Sequence, residues 1–158
     1  MRIDDEEIME KVLDNYQKYY RLAYSYVHNE SDALDIVQEG AYKAILNSHT
    51  LKKREFMETW IYRIMMNEAV LFIRKNRRSE FVSLDELELR AKEDQYEDID
   101  LARALDQLGE PEGTIIRLRF FEDMKLEDIA EIVGENLNTV KTKLYRTLKV
   151  LRISLETN

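Results

Sequence analysis

Two short amphipathic segments on either side of Gly134 constrain the fold more than any other feature of the chain. Apolar residues recur every three or four positions before this glycine and again after it. The first run is Leu126, Ile129, Ala130 and Val133, and the second is Val140, Leu144, Leu148 and Leu151. Glycine commonly ends a helix because it adopts left-handed backbone conformations without strain. The pattern predicts two helices joined by a tight turn, the outline of a helix-turn-helix.

The second of these helices is strongly basic. Between Leu137 and Arg152 there are five positive charges and no negative one. A helix of this kind is typical of proteins that approach nucleic-acid phosphates. A helix-turn-helix serves many kinds of protein, so the rest of the chain must indicate which kind this is.

Composition favours a helical protein without covalent chemistry. The 158 residues include only four Gly and one Pro, and 44% are hydrophobic, which is enough for folded cores. The absence of Cys excludes disulfides and thiolate metal sites, and two isolated His residues do not form a metal cluster. No nucleophile with a base and no glycine-rich phosphate loop is evident. We therefore expect no catalytic residues, no metal site and no cofactor.

The N-terminal sequence and the lengths of the apolar runs indicate the expected cellular location of the protein. The start of the chain lacks a basic region followed by an apolar core, and no apolar run approaches the roughly 18 residues of a membrane span. We expect a soluble, cytoplasmic protein that does not insert into a membrane.

The net charge of −8 is concentrated in one segment. Residues 79–110 hold three basic and eleven acidic residues, whereas residues 60–78 hold five basic residues and one acid. Two basic regions are thus separated by an acidic connector, which we interpret as a solvated linker, although its VSLDEL stretch (82–87) could form a short turn or helix. An alternative is that the connector shields basic surfaces in the free protein.

The first half of the chain predicts three helices. They span Asp4 to Val27, Ser31 or Asp32 to about Leu46, and Glu55 to about Asn76. The middle helix has a polar face opposite its apolar one, made of Asp35, Gln38, Glu39 and Tyr42. In the third helix, Trp60 is expected to be a buried anchor rather than a base-stacking platform.

Three stretches resemble the extracytoplasmic-function sigma factors of bacterial RNA polymerase. DALDIVQEGAYKAI (32–45) and METWIYRIMMNEAVLFIRKNRR (57–78) are similar to sigma region 2 of that family. LEDIAEIVGENLNTVKTKLYRTLKVLR (126–152) is similar to sigma region 4. The stretches occur in the order of the family and are split by an acidic linker of the expected length.

The resemblance implies an all-α protein with two small helical domains. Residues 1–78 would form the sigma region 2 bundle, 79–100 a flexible acidic linker, and 101–158 the sigma region 4 helix-turn-helix domain. Such a protein is an alternative sigma factor that binds core RNA polymerase and directs promoter-specific initiation. The rival interpretation is a stand-alone helix-turn-helix regulator, which would bind duplex DNA tightly without polymerase.

The resemblance also assigns roles to residues of the first domain. The polar face at Asp35, Gln38, Glu39 and Tyr42 would dock on the clamp helices of the largest polymerase subunit. The following loop and the third helix would melt and capture the minus-ten promoter element as a single strand, which requires positive charge along the backbone. The residues implied are Lys52, Lys53, Arg54, Arg63, Asn67, Arg74, Lys75, Arg77 and Arg78.

The second domain would read the minus-thirty-five element as duplex DNA. Major-groove readers use residues near the N-terminal end of the recognition helix. The residues implied are Asn138, Thr139, Lys141, Thr142, Lys143, Arg146 and Lys149. The resemblance further implies an anti-sigma protein as a partner, which in this family is often membrane-bound.

The sequence departs from the pattern of the family in three places. One is the helix start after Leu108, where the family usually has Pro directly after the leucine, whereas here Gly109 and Glu110 come before Pro111. Gly40 lies inside the docking helix, where it should cost about 1 kcal/mol relative to Ala, and close approach to a neighbouring residue would account for it. Glu135 occupies a turn position that is usually apolar. The recognition helix is expected to begin between Asn136 and Asn138.

Overall fold

The computed structural model describes residues 3–76, 83–93 and 101–156. The chain divides into two compact units, Met1–Arg78 and Ser79–Asn158. Within the described ranges both units are built from helices joined by turns, so the prediction of an all-α fold in two units is confirmed. Among these residues, none of the helices is both long enough and apolar enough to cross a membrane.

The first unit contains four α-helices and two short 3-10 turns within its described residues. The helices are α1 (Asp5–Asp14), α2 (Tyr16–Val27), α3 (Glu30–Leu46) and α4 (Met57–Asn76), and the turns are Ser48–Thr50 and Arg54–Phe56. Asp4 and Asn29 cap α1 and α3, because their side-chain oxygens accept the backbone N–H groups of Glu7 and Asp32. Helix α3 therefore starts slightly earlier than predicted.

The prediction of one continuous helix from Asp4 to Val27 is wrong, because the helix is interrupted at Asn15. The backbone N–H and the side-chain amide of Asn15 both donate to the carbonyl oxygen of Lys11, at 3.1 and 3.0 Å. An asparagine side chain competes with helical hydrogen bonding in this way. The apolar periodicity continues through the break, so the pattern alone did not reveal it.

Buried aromatic rings of α2 and α4 meet in the core of the first unit. The rings of Tyr19 and Tyr62 pack edge to face with centroids 4.9 Å apart, and both side chains are fully buried. The Tyr19 hydroxyl has no hydrogen-bond partner among the described residues. Burial raises the pKa of Tyr19 well above its usual range, so the phenol stays neutral.

Helices α3 and α4 approach closely at Gly40. A Cβ atom placed on Gly40 would overlap the Sδ atom of Met65 and lie 3.1 Å from its Cε atom. This accounts for the glycine in the middle of α3 by close approach, as predicted. Nearby, Lys43 of α3 forms an ion pair with Glu68 of α4, whose residue surface is only 8% exposed. These two contacts hold the outer face of α3 in a defined orientation on α4.

The second unit contains five helices within its described residues. They are α5 (Leu84–Glu93), α6 (Leu101–Gln107), α7 (Glu112–Phe120), α8 (Leu126–Val133) and α9 (Leu137–Glu156). Its core includes apolar residues from α7, α8 and α9, among them Ile115, Leu118, Ile129, Ile132, Val140 and Leu144. Helix α9 packs against the other four described helices of the unit, α5, α6, α7 and α8.

Part of the segment predicted as a linker is a helix of the second unit. Helix α5 lies within residues 79–100, yet it packs against α9, and its Leu87 is 1% exposed. The high charge of this segment favoured the linker interpretation, because four of the ten residues of α5 are acidic. Residues 79–82 and 94–100 of the predicted linker lie outside the described residues.

Candidate functional site

The turn between α8 and α9 sets where the recognition helix begins. Gly134 has a left-handed backbone (φ 76°), and its N–H donates to the carbonyl oxygen of Ala130 at 2.9 Å, which ends α8. The side-chain oxygen of Asn136 accepts the backbone N–H of Thr139 at 2.8 Å and so caps the next helix. Helix α9 therefore starts at Leu137, within the predicted range.

Between Asn138 and Arg152, one side of α9 is solvent-exposed and basic. The exposed residues are Asn138, Lys141, Thr142, Tyr145, Arg146, Lys149 and Arg152, whereas Val140, Leu144, Thr147, Val150 and Leu151 are buried on the other side. Five of the predicted DNA-binding residues thus share one surface, which we call the α9 face. Tyr145, with 63% of its surface exposed, lies in the middle of this face and was missed by the sequence analysis. Its spacing of four residues from both Lys141 and Lys149 was the available signal.

The other two predicted residues of α9 lie beside this face. Thr139 and Lys143 are only partly exposed. The Lys143 ammonium donates to a carboxylate oxygen of Glu135 at 2.8 Å, which connects α9 to the turn that precedes it. This ion pair accounts for an acid at a turn position where an apolar residue was expected.

Arg146, on the α9 face, already has an acidic neighbour. Its Nη2 atom forms an ion pair with the Asp85 carboxylate of α5. About half of the Arg146 side chain (52%) remains exposed to solvent. The guanidinium is thus accessible and at the same time held in place by a carboxylate.

In the first unit, α3 presents the polar face predicted for polymerase docking. Asp35, Gln38, Glu39 and Tyr42 are all exposed, and Tyr42 is 58% exposed. Opposite them, Ala33, Ile36, Val37, Gly40 and Ala44 are buried. Two apolar side chains, Leu34 and Leu46, are also exposed at the edges of this surface. We call the six exposed residues the α3 face. Leu34 and Leu46 were not predicted to belong to it, because only the polar side of the helix was expected to form the surface.

The predicted single-strand surface combines a strip of α4 with the preceding loop. Arg63, Asn67 and Arg74 are exposed and lie along one side of α4, since their spacings of four and seven residues place them on the same face. We call these three residues the α4 strip. Trp60 belongs to the same side and is half-buried rather than fully enclosed, so the expectation of a buried anchor holds only in part. Lys75 is exposed outside this strip.

The loop before α4 contributes Lys52, Lys53 and Arg54, all exposed. The Arg54 guanidinium donates through Nε and Nη2 to the two carboxylate oxygens of Glu7, at 2.6 and 2.8 Å. This two-pronged contact lowers the pKa of Glu7 and ties the loop to α1. The remaining predicted residues, Arg77 and Arg78, lie outside the described residues.

Comparison with known families matches both units. Sigma-70 region 2 matches residues 12–79, and Sigma-70 region 4 matches residues 98–151. The RNA polymerase sigma factor SigV of Bacillus subtilis is 50% identical over 146 residues, which cover 91% of this chain and 88% of that protein. The chain belongs to the RNA polymerase sigma factors. Proteins of this family bind core RNA polymerase and promoter DNA to initiate transcription.

Other similar proteins include sigma factors of the extracytoplasmic-function type. The ECF RNA polymerase sigma factor SigW of Bacillus subtilis is 27% identical over 169 residues, covering 96% of this chain and 90% of that protein. The fold is similar to that of the sigma factor RpoE of Bartonella quintana, solved in complex with the anti-sigma factor NepR. That match has a TM-score of 0.67 and 21% identity, and it covers 96% of this sigma factor and 98% of the other chain. Matches to both sigma regions in one chain disfavour the stand-alone regulator.

Proposed function

We propose that this sigma factor holds promoter DNA at two elements, with the first unit also providing the contact to core RNA polymerase. The observation that carries the proposal is that each matched sigma region contains an exposed surface suited to its part of the task. The α3 face and the α4 strip belong to region 2, and the α9 face belongs to region 4. As an initiation factor the protein performs no covalent chemistry itself; the polymerase makes the RNA.

The α3 face is the proposed docking site for the clamp helices of the largest polymerase subunit. Two carboxylates, an amide and a phenol supply polar contacts, and the exposed Leu34 and Leu46 supply apolar area at the two edges. Interfaces commonly combine apolar anchors with a polar surround in this way. The close packing of Gly40 on Met65 favours a rigid docking helix, because α3 is held directly against α4.

The α4 strip is the proposed site for the melted minus-ten element. Arg63 and Arg74 supply positive charge to the strand backbone, and Asn67 between them offers both a donor and an acceptor to a base edge. The half-buried Trp60 adds an aromatic surface on the same side of the helix. Lys52 and Lys53 extend the positive charge into the preceding loop.

The α9 face is the proposed reader of the minus-thirty-five element. Asn138, Lys141 and Thr142 lie in the first two turns of α9, where a recognition helix enters the major groove. Arg146 follows one turn later, while Lys149 is better placed for phosphates. Tyr145 belongs to the same set because it occupies the centre of the exposed side.

The proposed setting is the cytoplasm, where sigma factors act on RNA polymerase. We also propose control by an anti-sigma protein. The related fold of the Bartonella quintana protein was solved with such a partner, which supports the proposal for a protein of the same family.

Run-off transcription with core RNA polymerase and a promoter library tests the function. We expect transcripts that start at a defined subset of promoters when this protein is added, and none from core polymerase alone. Failure to gain promoter-specific transcripts, together with failure to co-purify with core polymerase, would refute the sigma-factor assignment.

Paired substitutions test the division of labour between the two units. Asp35→Ala combined with Gln38→Ala should weaken binding to core polymerase, whereas Arg146→Ala should weaken recognition of the upstream element. A matched control is Asp14→Ala combined with Gln17→Ala, which removes the same two residue types from exposed positions of α1 and α2. Equal loss of core affinity in the Asp35/Gln38 and Arg146 variants would contradict the assignment.

A further inference from the structure

The ion pair between Asp85 and Arg146 joins an acidic helix to the proposed DNA-reading face. Arg146 lies on the α9 face, and Asp85 lies in the first turn of α5, which packs against α9. Both side chains are largely accessible, with 52% of Arg146 and 77% of Asp85 exposed. The carboxylate is therefore within reach of any DNA that Arg146 contacts.

Helix α5 is anchored so that the carboxylate stays near the guanidinium. Leu87 is buried in the second unit, and its N–H donates to the carbonyl oxygen of Ser83 at 2.9 Å. The Ser83 hydroxyl oxygen accepts the N–H of Glu86 at 3.1 Å and caps the helix start. An isolated surface ion pair loses much of its benefit to the entropy of ordering two side chains. Here the backbone that carries Asp85 is already ordered by packing.

Guanidinium chemistry allows one arginine to serve two partners at once. Arginine has five N–H donors in a planar fork, and the Asp85 contact uses the Nη2 end. The remaining donors suffice for the two-pronged contact to O6 and N7 of a guanine, the commonest specific contact in the major groove. We propose that Asp85 is a positioning and specificity residue, which orients Arg146 for one guanine and lowers its attraction to phosphates.

The lowered attraction of Arg146 to phosphates follows from charge. A phosphate attracts the net positive charge at a site, and the Asp85 carboxylate offsets the charge of Arg146 at short range. A base edge is recognised through directed hydrogen bonds, which an oriented guanidinium still provides. Asp85 thus weakens binding to arbitrary DNA more than binding to the correct element, and this difference is what creates specificity. The inference rests on the proposed function of α9 as the upstream-element reader.

The test uses the full chain with core RNA polymerase and a promoter library randomised across the upstream element. Sequencing the run-off transcripts gives the base preference at each position for the wild type and for each variant. Arg146→Ala should identify one position where the preference for guanine falls about tenfold or more. Asp85→Asn should relax the preference at that same position by about fivefold, and it should have no further effect in the Arg146→Ala background.

A second measurement separates positioning from a general effect of charge. Binding of the full chain to a duplex of scrambled promoter sequence, measured over a range of salt concentrations, should be about two- to fivefold tighter for Asp85→Asn. Its salt dependence should also be steeper, since Arg146 becomes free to contact a phosphate. Glu86→Gln removes one charge at the adjacent position of α5 and serves as the matched control, which should leave the base preferences unchanged.

The outcomes distinguish this inference from the proposed function. Unchanged base preferences in Asp85→Asn would overturn the inference, and so would a relaxation equal to that of Glu86→Gln. A uniform rise of transcription from all promoters without relaxation at the Arg146 position would also overturn it. A wild-type chain that yields no promoter-specific transcript overturns the proposed function itself and the inference with it.

Discussion

Substitution of Gly40 by alanine should destabilise the first unit, although the same change normally stabilises a helix. In a helix interior, alanine is favoured over glycine by about 1 kcal/mol. At this position, the added methyl group would overlap the Sδ atom of the buried Met65. Overpacking a close-packed core costs roughly 1 to 3 kcal/mol. The overlap term exceeds the helix term over most of this range, so we expect a net loss of about 1 kcal/mol.

Trp60 provides the assay, because it is the single tryptophan of the chain and lies in the first unit. Its fluorescence during urea unfolding of the full-length protein reports the stability of that unit. Met65→Ala alone should cost about 2 to 5 kcal/mol through the cavity that it leaves. In that background Gly40→Ala should become stabilising by about 1 kcal/mol, since the overlap is gone and only the helix preference remains.

Met66→Ala is the matched control for the double substitution. Met66 is adjacent to Met65 in sequence, but the three atoms nearest to a Cβ placed on Gly40 all belong to Met65. Its effect should add to that of Gly40→Ala without coupling. If Gly40→Ala proves as stable as the wild type, or if its effect is the same in the Met65→Ala and Met66→Ala backgrounds, close approach does not account for this glycine.

Three further predictions address other contacts. Gly134→Ala should destabilise the second unit by about 1 to 2 kcal/mol, because alanine is strained in the left-handed conformation (φ 76°) that Gly134 adopts. The unfolding transition followed by far-UV circular dichroism should shift to lower denaturant concentration, whereas the transition followed by Trp60 fluorescence should not. Leu87→Ala should cost about 2 to 5 kcal/mol in the same circular dichroism assay if α5 is an integral part of that unit, and a loss below about 0.5 kcal/mol would show that it is not. The Arg54 hydrogen bond lowers the pKa of Glu7, so this pair should stabilise the first unit fully above the ordinary glutamate pKa of about 4.3 and progressively less as the pH falls below it. Glu7→Gln should therefore flatten the acid side of the Trp60-monitored stability profile, and an unchanged profile would contradict the assignment of the pair.

The amino-acid sequence by itself determined the helical class, the two units and the amphipathic faces. These features depend on local periodicity and composition, which are repeated along each helix and tolerate small errors. The outward direction of Asp35, Gln38 and Tyr42, for example, follows from their spacing relative to Ala33, Ile36 and Val37. The turn at Gly134 could also be predicted from the sequence, because a glycine directly after an amphipathic run is typical of a helix end.

Only the tertiary structure decided which residues meet. The pairing of Arg146 with Asp85 spans 61 positions in sequence, and the pairing of Arg54 with Glu7 spans 47. Charge composition cannot specify such pairs, because many acids of the chain are equally suitable partners for an arginine. Helix α5 was taken for a linker because Leu87 is recognisable as a core residue only when α9 is present to cover it. Likewise, the requirement for glycine at position 40 arises because the Met65 side chain occupies the space that a Cβ atom would need. Faces follow from the local sequence, whereas partners follow from packing between segments that are distant in the chain.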